Sequence, residues 1–226
     1  MKKKKKKIGI LGGIGPEATG EFYLALILKF QEKDLIKSNK DFPQIIINSI
    51  PAPELLSENI SEKDLRPYIK GLKELEKFGV DFIAMLCNTV HLFHKKFQKE
   101  IKVPIVDLRK EVKNYLFDKK IKSATVLGSP NVIKRGLYKF GNVKYVNLSN
   151  EEIKILNKAV FDFNRGFDKI KQGKIVGNIA KKCIKRGADL IILGCTEVAI
   201  MLKDENIPKI DPMDLLIDII VKHATN

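Results

Sequence analysis

The residues best placed to do chemistry are two cysteines that occur twice in the same local sequence. Gly79-Val80-Asp81-Phe82-Ile83-Ala84-Met85-Leu86-Cys87 matches Gly187-Ala188-Asp189-Leu190-Ile191-Ile192-Leu193-Gly194-Cys195 in spacing, with Val90 and Val198 three residues beyond each cysteine. Further on, Pro104-Ile105-Val106-Asp107 is echoed by Pro208-Lys209-Ile210-Asp211. In each copy the cysteine stands just past an apolar run of strand length, and open α/β sheets bind ligands at the carboxyl ends of their strands. Polar residues able to begin a helix follow, Asn88-Thr89 in the first copy and Thr196-Glu197 in the second. A helix N-terminus offers N–H donors to an anion and lowers the pKa of a nearby thiol from about 8.5 toward neutrality. Two opposed thiols suit the inversion of a stereocentre: one thiolate removes the Cα proton while the other thiol delivers a new one on the opposite face. The carbanion or enediolate between those steps holds its charge on carboxylate oxygens, where N–H and hydroxyl donors stabilise it without metal or cofactor. A lone cysteine at a strand end would be read as core packing. The duplication is what argues for chemistry. Cys183 has no counterpart and no polar followers, and is read as packing.

The elements that must position these cysteines alternate along the chain. Apolar runs predict strands at 8–11, 45–47 (a buried one, by its β-branching) and 81–86, and again at 124–127, 144–148 and 189–193. Helical spacing predicts helices at 17–33, opened by Pro16, and at 65–78, 91–100, 132–139, 152–170 and 175–185. Alternation of this kind implies parallel sheets flanked by helices on both faces. The internal repeat divides the chain into two similar halves. The expected fold is therefore α/β, with two pseudo-symmetric Rossmann-like domains, one of residues 1–108 plus 211–226 and one of residues 109–210, and a site in the cleft between them.

Composition narrows the function classes. At 226 residues, 44% hydrophobic and 31% charged, the chain is globular. No apolar run approaches the ~20 residues of a membrane-spanning helix. Six of the positive charges behind the net +15 form the lysine run at 2–7, which leads into Ile8-Gly9-Ile10-Leu11-Gly12-Gly13 rather than into the apolar core of a secretory signal. The other positive charges are mostly lysines scattered without aromatic interleaving, a solvated surface rather than a nucleic-acid reader. Three cysteines cannot close a disulfide framework and fit a reducing, cytoplasmic setting. His91, His94 and His223 have no metal-site spacing, and no lysine stands in a Schiff-base context. Gly9-x-x-Gly12-Gly13-x-Gly15 is not the dinucleotide fingerprint Gly-x-Gly-x-x-Gly. The residues thus call for no cofactor and no metal.

At Leu11-Gly12-Gly13-Ile14-Gly15-Pro16-Glu17-Ala18-Thr19, Met85-Leu86-Cys87-Asn88-Thr89-Val90-His91, Gly136-Leu137-Tyr138 and Leu193-Gly194-Cys195-Thr196-Glu197, the sequence resembles the cofactor-independent aspartate/glutamate racemase superfamily, closest to its aspartate racemase branch. The resemblance implies a homodimer of two-domain chains, a small-molecule amino-acid or carboxylate substrate, and Cys87 and Cys195 as the acid/base pair. It also implies that Asn88, Thr89 and Thr196 hold the substrate carboxylate, with Gly13, Ser129, Lys171 and Glu197 at the binding site. Two departures bear on specificity. Where aspartate racemases carry Asp-Arg-Thr after the second strand, this chain has Ile50-Pro51-Ala52-Pro53-Glu54-Leu55; where they carry Gly-Thr, it has Asn131-Val132. Losing a cation and a hydroxyl weakens recognition of a second carboxylate, unless Lys171 or Lys174 takes over. The function expected is an amino-acid racemase of open side-chain specificity. The alternatives are a related isomerase or lyase acting beside a carboxylate, maleate-isomerase-like or dimethylsulfoniopropionate-lyase-like, and a catalytically silent binding protein.

Overall fold

The computed structural model describes residues 5–53, 55 and 59–225. Lysines 2–4 of the N-terminal run, and Glu54 of the segment that departs from the arginine pattern, lie outside the described residues. The chain divides into two compact units, one of Met1–Leu55, Asn59–Asp107 and Met213–Asn226, the other built around Leu108–Pro212. Each is a parallel sheet with helices, as the strand–helix alternation predicts.

The first unit contains β1 (Ile8–Gly12), α1 (Pro16–Glu32), β2 (Ile45–Ser49), α2 (Glu62–Lys77), β3 (Phe82–Met85) and α3 (His94–Glu100). Its sheet runs β2-β1-β3, all parallel. The central strand is buried along its whole length. The strand at 45–47 differs from expectation: it is an edge, its first two isoleucines are half-buried and Ile47 is 37% exposed. A β-branched run suits a central and an edge strand equally, so its composition could not tell them apart. Beneath the sheet, Leu65, Tyr68, Leu72 and Leu75 of α2 pack with Leu11, Ile83, Met85 and Phe97, the Tyr68 and Phe97 rings stacked with centroids 6.2 Å apart.

The second unit contains α4 (Leu108–Asp118), β4 (Ser123–Gly128), α5 (Pro130–Lys134), β5 (Lys144–Tyr145), α6 (Asn150–Asn164), α7 (Lys169–Lys185), β6 (Leu190–Gly194), α8 (Thr196–Met201) and β7 (Lys209–Ile210). Its parallel sheet runs β5-β4-β6-β7. The chain then returns to the first unit as α9 (Pro212–Thr225), where His223 meets the Phe82 ring edge-on at 5.4 Å. Three expected elements come out shorter. The helix at 132–139 is confined to α5, the strand at 144–148 to the two residues of β5, and the helix at 152–170 breaks after Asn164, where Gly166 (φ +75°) and Asp168 (φ +39°) reverse the chain into α7. Among the described residues, no helix is long and apolar enough to cross a membrane.

The sequence repeat is a structural repeat inside each unit. Asp81 accepts from the main-chain N–H of Lys7 (2.5 Å) and its own N–H donates to Lys7 O (2.8 Å). Asp189 accepts from Ser123 N (2.9 Å) and donates to Ser123 O (3.2 Å). Ile83 N donates to Pro104 O and Ile191 N to Pro208 O, each at 2.9 Å. The same side chain therefore ties the same two strands together in both units, and each echoed proline segment lies beside its cysteine strand.

Candidate active site

In the first unit the carboxyl edge of the sheet carries Gly13 and Cys87. Register pairs Leu11 with Met85, and these two residues lie two positions further along their strands. Gly13 holds φ +87°, and a Cβ there would stand 2.5 Å from the Ile50 carbonyl oxygen, so only glycine fits. Its N–H donates to Thr19 Oγ1 (2.9 Å), and that hydroxyl donates to Gly15 O (3.0 Å). The N–H of Gly13 is thus engaged in clamping its own loop. Cys87 is half-buried, and Asn88 and Thr89 are buried.

The chain after Cys87 does not begin the expected α-helix. It enters a 3₁₀ turn, Thr89–Phe93, and α3 starts only at His94. Tight i→i+3 turns of this length do not build the aligned dipole of a long helix, so the helix-terminus argument for activating this thiol loses force. His91 is buried in the turn; its Nε2 donates to the Met85 carbonyl (3.2 Å) and its ring stacks on His94, whose Nε2 donates to Ile105 O (3.0 Å). Among the described residues no three His, Cys, Asp or Glu side chains gather as a metal-ligand group.

In the second unit two adjacent strands end together on glycines, Gly128 paired with Gly194. A Cβ on Gly128 would lie 2.7 Å from the Gly194 carbonyl oxygen, and this close approach delivers Ser129 and Cys195 side by side in sequence register. The Ser129 hydroxyl caps α5, accepting from Val132 N (3.3 Å). Asn131, the first residue of the Asn131-Val132 pair that stands where the family carries Gly-Thr, is buried. Cys195 takes the N-cap position of α8 in extended conformation but does not cap it. Its thiol donates instead to Glu197 Oε2 (2.8 Å), and Thr196 Oγ1 donates to the same oxygen (3.0 Å). Glu197 is only 7% exposed. This residue, expected at the binding site, thus hydrogen-bonds the Cys195 thiol.

Lys171 and Lys174 are both exposed on α7, and the main-chain N–H of Lys171 is capped by Asp168 Oδ1 (3.1 Å). The residue of that turn that faces inward is Gln172, which sequence reasoning passed over. The Pro51-Ala52-Pro53 segment brings no cation to the first unit's edge; Tyr68 Oη fixes it by donating to Pro53 O (2.5 Å). Cys183 sits in the core of the second unit, where Arg186 Nη2 donates to its Sγ (3.0 Å). That hydrogen bond, with those from Nη1 and Nη2 to Glu152 Oε2 (3.1 Å each), holds Arg186 above its ordinary pKa.

Parallel strands that end on a half-buried cysteine followed by buried polar side chains are built twice, at the strand ends where open α/β sheets bind ligands. The chain belongs to the Asp/Glu/Hydantoin racemase family, whose model matches residues 11–220, and racemases are isomerases. It is 29% identical over 210 residues to the broad specificity amino-acid racemase RacX of Bacillus subtilis (strain 168), covering 90% of this chain and 92% of that protein. Among solved structures it is similar to an aspartate racemase homologue from Pyrococcus horikoshii OT3, with TM-score 0.75 and 27% identity over 98% of this chain and all of that one. The fold also matches the aspartate racemase of Picrophilus torridus, with TM-score 0.79 and 24% identity over 97% of this chain and 94% of that one.

Proposed function

We propose that the protein is a cofactor-independent amino-acid racemase in which Cys87 and Cys195 exchange protons with Cα from opposite faces. The observation that carries this reading is the duplicated strand–cysteine unit, since inversion is the chemistry that uses two such thiols. In one direction the Cys87 thiolate takes the Cα proton and Cys195, whose proton is already placed on the Glu197 side, gives its own to the other face. In the reverse direction Cys195 must act as base, and Glu197 is the group positioned to receive the thiol proton. Each turnover leaves the thiol that acted as base protonated and the one that acted as acid a thiolate, and proton exchange with water resets the pair. Asn88, Thr89 and Thr196 supply neutral donors to the substrate α-carboxylate, which concentrates the intermediate's charge on oxygens they can reach. A second carboxylate on the substrate finds no arginine at the Pro51-Ala52-Pro53 segment, so aspartate is expected to be a poor substrate.

The test is deuterium entry at Cα, followed by proton NMR, for single enantiomers of aspartate, asparagine, alanine and methionine in D₂O. Exchange with inversion is the expected result, unaffected by a chelator or by hydroxylamine. Exchange only after addition of metal or pyridoxal phosphate would overturn the reading, and elimination from a β-onium acid in place of exchange would move the chain to the lyases.

A further inference from the structure

The two copies of the cysteine unit close the turn after the thiol in different ways. In the second copy the main chain does it: Ala199, four residues past Cys195, donates its N–H to Cys195 O (3.1 Å) as α8 begins. In the first copy the matching residue is His91, and its N–H donates to Asn88 O (3.1 Å) rather than to the cysteine carbonyl. A turn closed by i→i+3 bonds has poorer hydrogen-bond geometry than an α-helix. The His91 side chain supplies a second tie. A carbonyl oxygen only accepts, so the ring nitrogen Nε2 carries a proton and donates it to Met85 O (3.2 Å).

That carbonyl has a defined place in the sheet. On the outer edge of β3, Ile83 N donates to Pro104 O and Ile83 O accepts from Val106 N, each at 2.9 Å. Met85 O lies two residues further along the same edge. His91 takes it, and His94, whose ring stacks on that of His91 with centroids 6.3 Å apart, takes Ile105 O (3.0 Å). The result is a loop fastened from Met85 to His91, with Cys87, Asn88 and Thr89 inside it. Its fastening is the most deeply buried polar side chain among the described residues, 0% exposed, whereas Cys87 is half-buried. A hydrogen bond shielded from water is stronger than one in solvent. A thiol that must meet a Cα proton gains from such a fastening, since a displacement of about 1 Å at a reacting group costs on the order of 100-fold in rate.

We propose that His91 is the positioning residue of Cys87: its imidazole, acting through the Met85 carbonyl, fixes the loop that aims the thiol. This deepens the racemase reading above and rests on it for what the thiol does.

The experiment compares wild type with His91→Gln and His91→Asn, each as the full chain. The glutamine amide nitrogen reaches about as far as imidazole Nε2 and donates as it does; the asparagine amide stops one bond shorter. The first measurement is Cα deuterium exchange into the separate enantiomers of asparagine, alanine, methionine and aspartate. His91→Asn should lose roughly 10- to 100-fold in exchange of one enantiomer, the same one that Cys87→Ser silences, and much less in the other. His91→Gln should restore most of that loss. The second measurement is modification by iodoacetamide, followed peptide by peptide in a mass spectrometer. In His91→Asn, Cys87 should react roughly 3- to 10-fold faster relative to Cys195 than in wild type, as a loop that has lost about one hydrogen bond opens more often. Equal losses in both enantiomers, or an unchanged ratio of Cys87 to Cys195 modification, would make His91 a packing residue and overturn the proposal. A His91→Asn chain that does not fold by circular dichroism would do the same, since its defect would be one of structure rather than aim. Wild type that exchanges no amino acid would overturn the racemase reading, and the modification ratio would then decide by itself whether His91 holds Cys87.

Discussion

The two units share a scaffold and differ in what they attach to it. In both, an aspartate at the strand start binds the neighbouring strand's N–H, Asp81 to Lys7 and Asp189 to Ser123. In both, a glycine of positive φ precedes it, Gly79 at +68° and Gly187 at +97°. The copies part company immediately after the cysteine. Cys87 leads through Asn88 and Thr89 into a 3₁₀ turn containing a buried histidine; Cys195 leads into a short α-helix and donates to a buried glutamate two residues on. Position 89, the counterpart of Glu197, is a threonine. Strand pairing tolerates few alternatives and is preserved, whereas the turn after the strand is free to vary. In the second copy the thiol is held as a donor to that carboxylate.

The largest expected effect comes from removing either thiol. Cys87→Ser and Cys195→Ser should each lower racemisation by roughly 10²-fold or more, because a serine hydroxyl is too weak an acid to replace a thiol in general acid–base work. Enantiomers have equal free energy, so kcat/KM must stay equal in the two directions whatever is mutated, and racemisation rates cannot show which thiol serves which face. Exchange can. With one base left, residual deuterium entry should be confined to one enantiomer, and to opposite enantiomers in the two variants. Residual exchange into the same enantiomer in both variants would break the assignment of one thiol to each face.

Next in size is the divergence after the cysteines. Glu197→Gln keeps an oxygen acceptor for the Cys195 thiol but removes the group that can receive its proton. A fall of about 10- to 100-fold in kcat, with KM nearly constant, is expected for a positioning residue acting through the thiol. Thr89→Val at the matched position should act mainly on KM, since threonine there is assigned to carboxylate binding. A Glu197→Gln effect confined to KM would instead return the glutamate to substrate binding.

The shared scaffold predicts a smaller and symmetric effect. Asp81→Ala and Asp189→Ala each leave a strand N–H without its acceptor, at a cost of about 1–2 kcal/mol. For a chain of this size that is roughly 2–8 °C in thermal midpoint. Comparable shifts in the two variants are expected by calorimetry. A large shift in one and none in the other would show that the repeat has lost its structural equivalence.

What could be read from the residues follows the same division. The central strands at 8–12, 123–128 and 190–194 are legible because continuous apolar runs bounded by glycines leave little choice. The identity of the cysteine strands is legible because it is written twice. The break at Gly166 was signalled by its glycine, but the helical period of 152–170 concealed it, since α6 and α7 present apolar faces to the same core. The pairing of Cys195 with Glu197 depends on the extended conformation of residue 195, a torsion that residue types do not report. Gln172 was illegible for a simpler reason. Set between Lys171 and Gly173-Lys174, it has the composition of a solvated turn, and only the burial of one face of α7 separates it from the exposed lysines on either side.

The smallest expected effect concerns the third cysteine, and it is the control that makes the pair a pair. Cys183 is fully buried among Leu156, Val176 and Ile179 of the second unit's core, and its sulfur accepts one hydrogen bond from Arg186. Nothing follows it that resembles the polar residues after Cys87 and Cys195, and its position near the C-terminal end of α7 places it toward the amino edge of the sheet. Cys183→Ser exchanges a polarisable sulfur for a smaller, more polar oxygen. The Arg186 hydrogen bond can persist, so the cost is the lost apolar contact, about 1 kcal/mol and a few degrees of thermal midpoint. Turnover should stay within about 2-fold of wild type, the scale of a substitution that leaves the reacting groups in place. A loss on the scale of the Cys87 and Cys195 variants, in a protein that still folds by circular dichroism, would show that sequence duplication had singled out the wrong thiols.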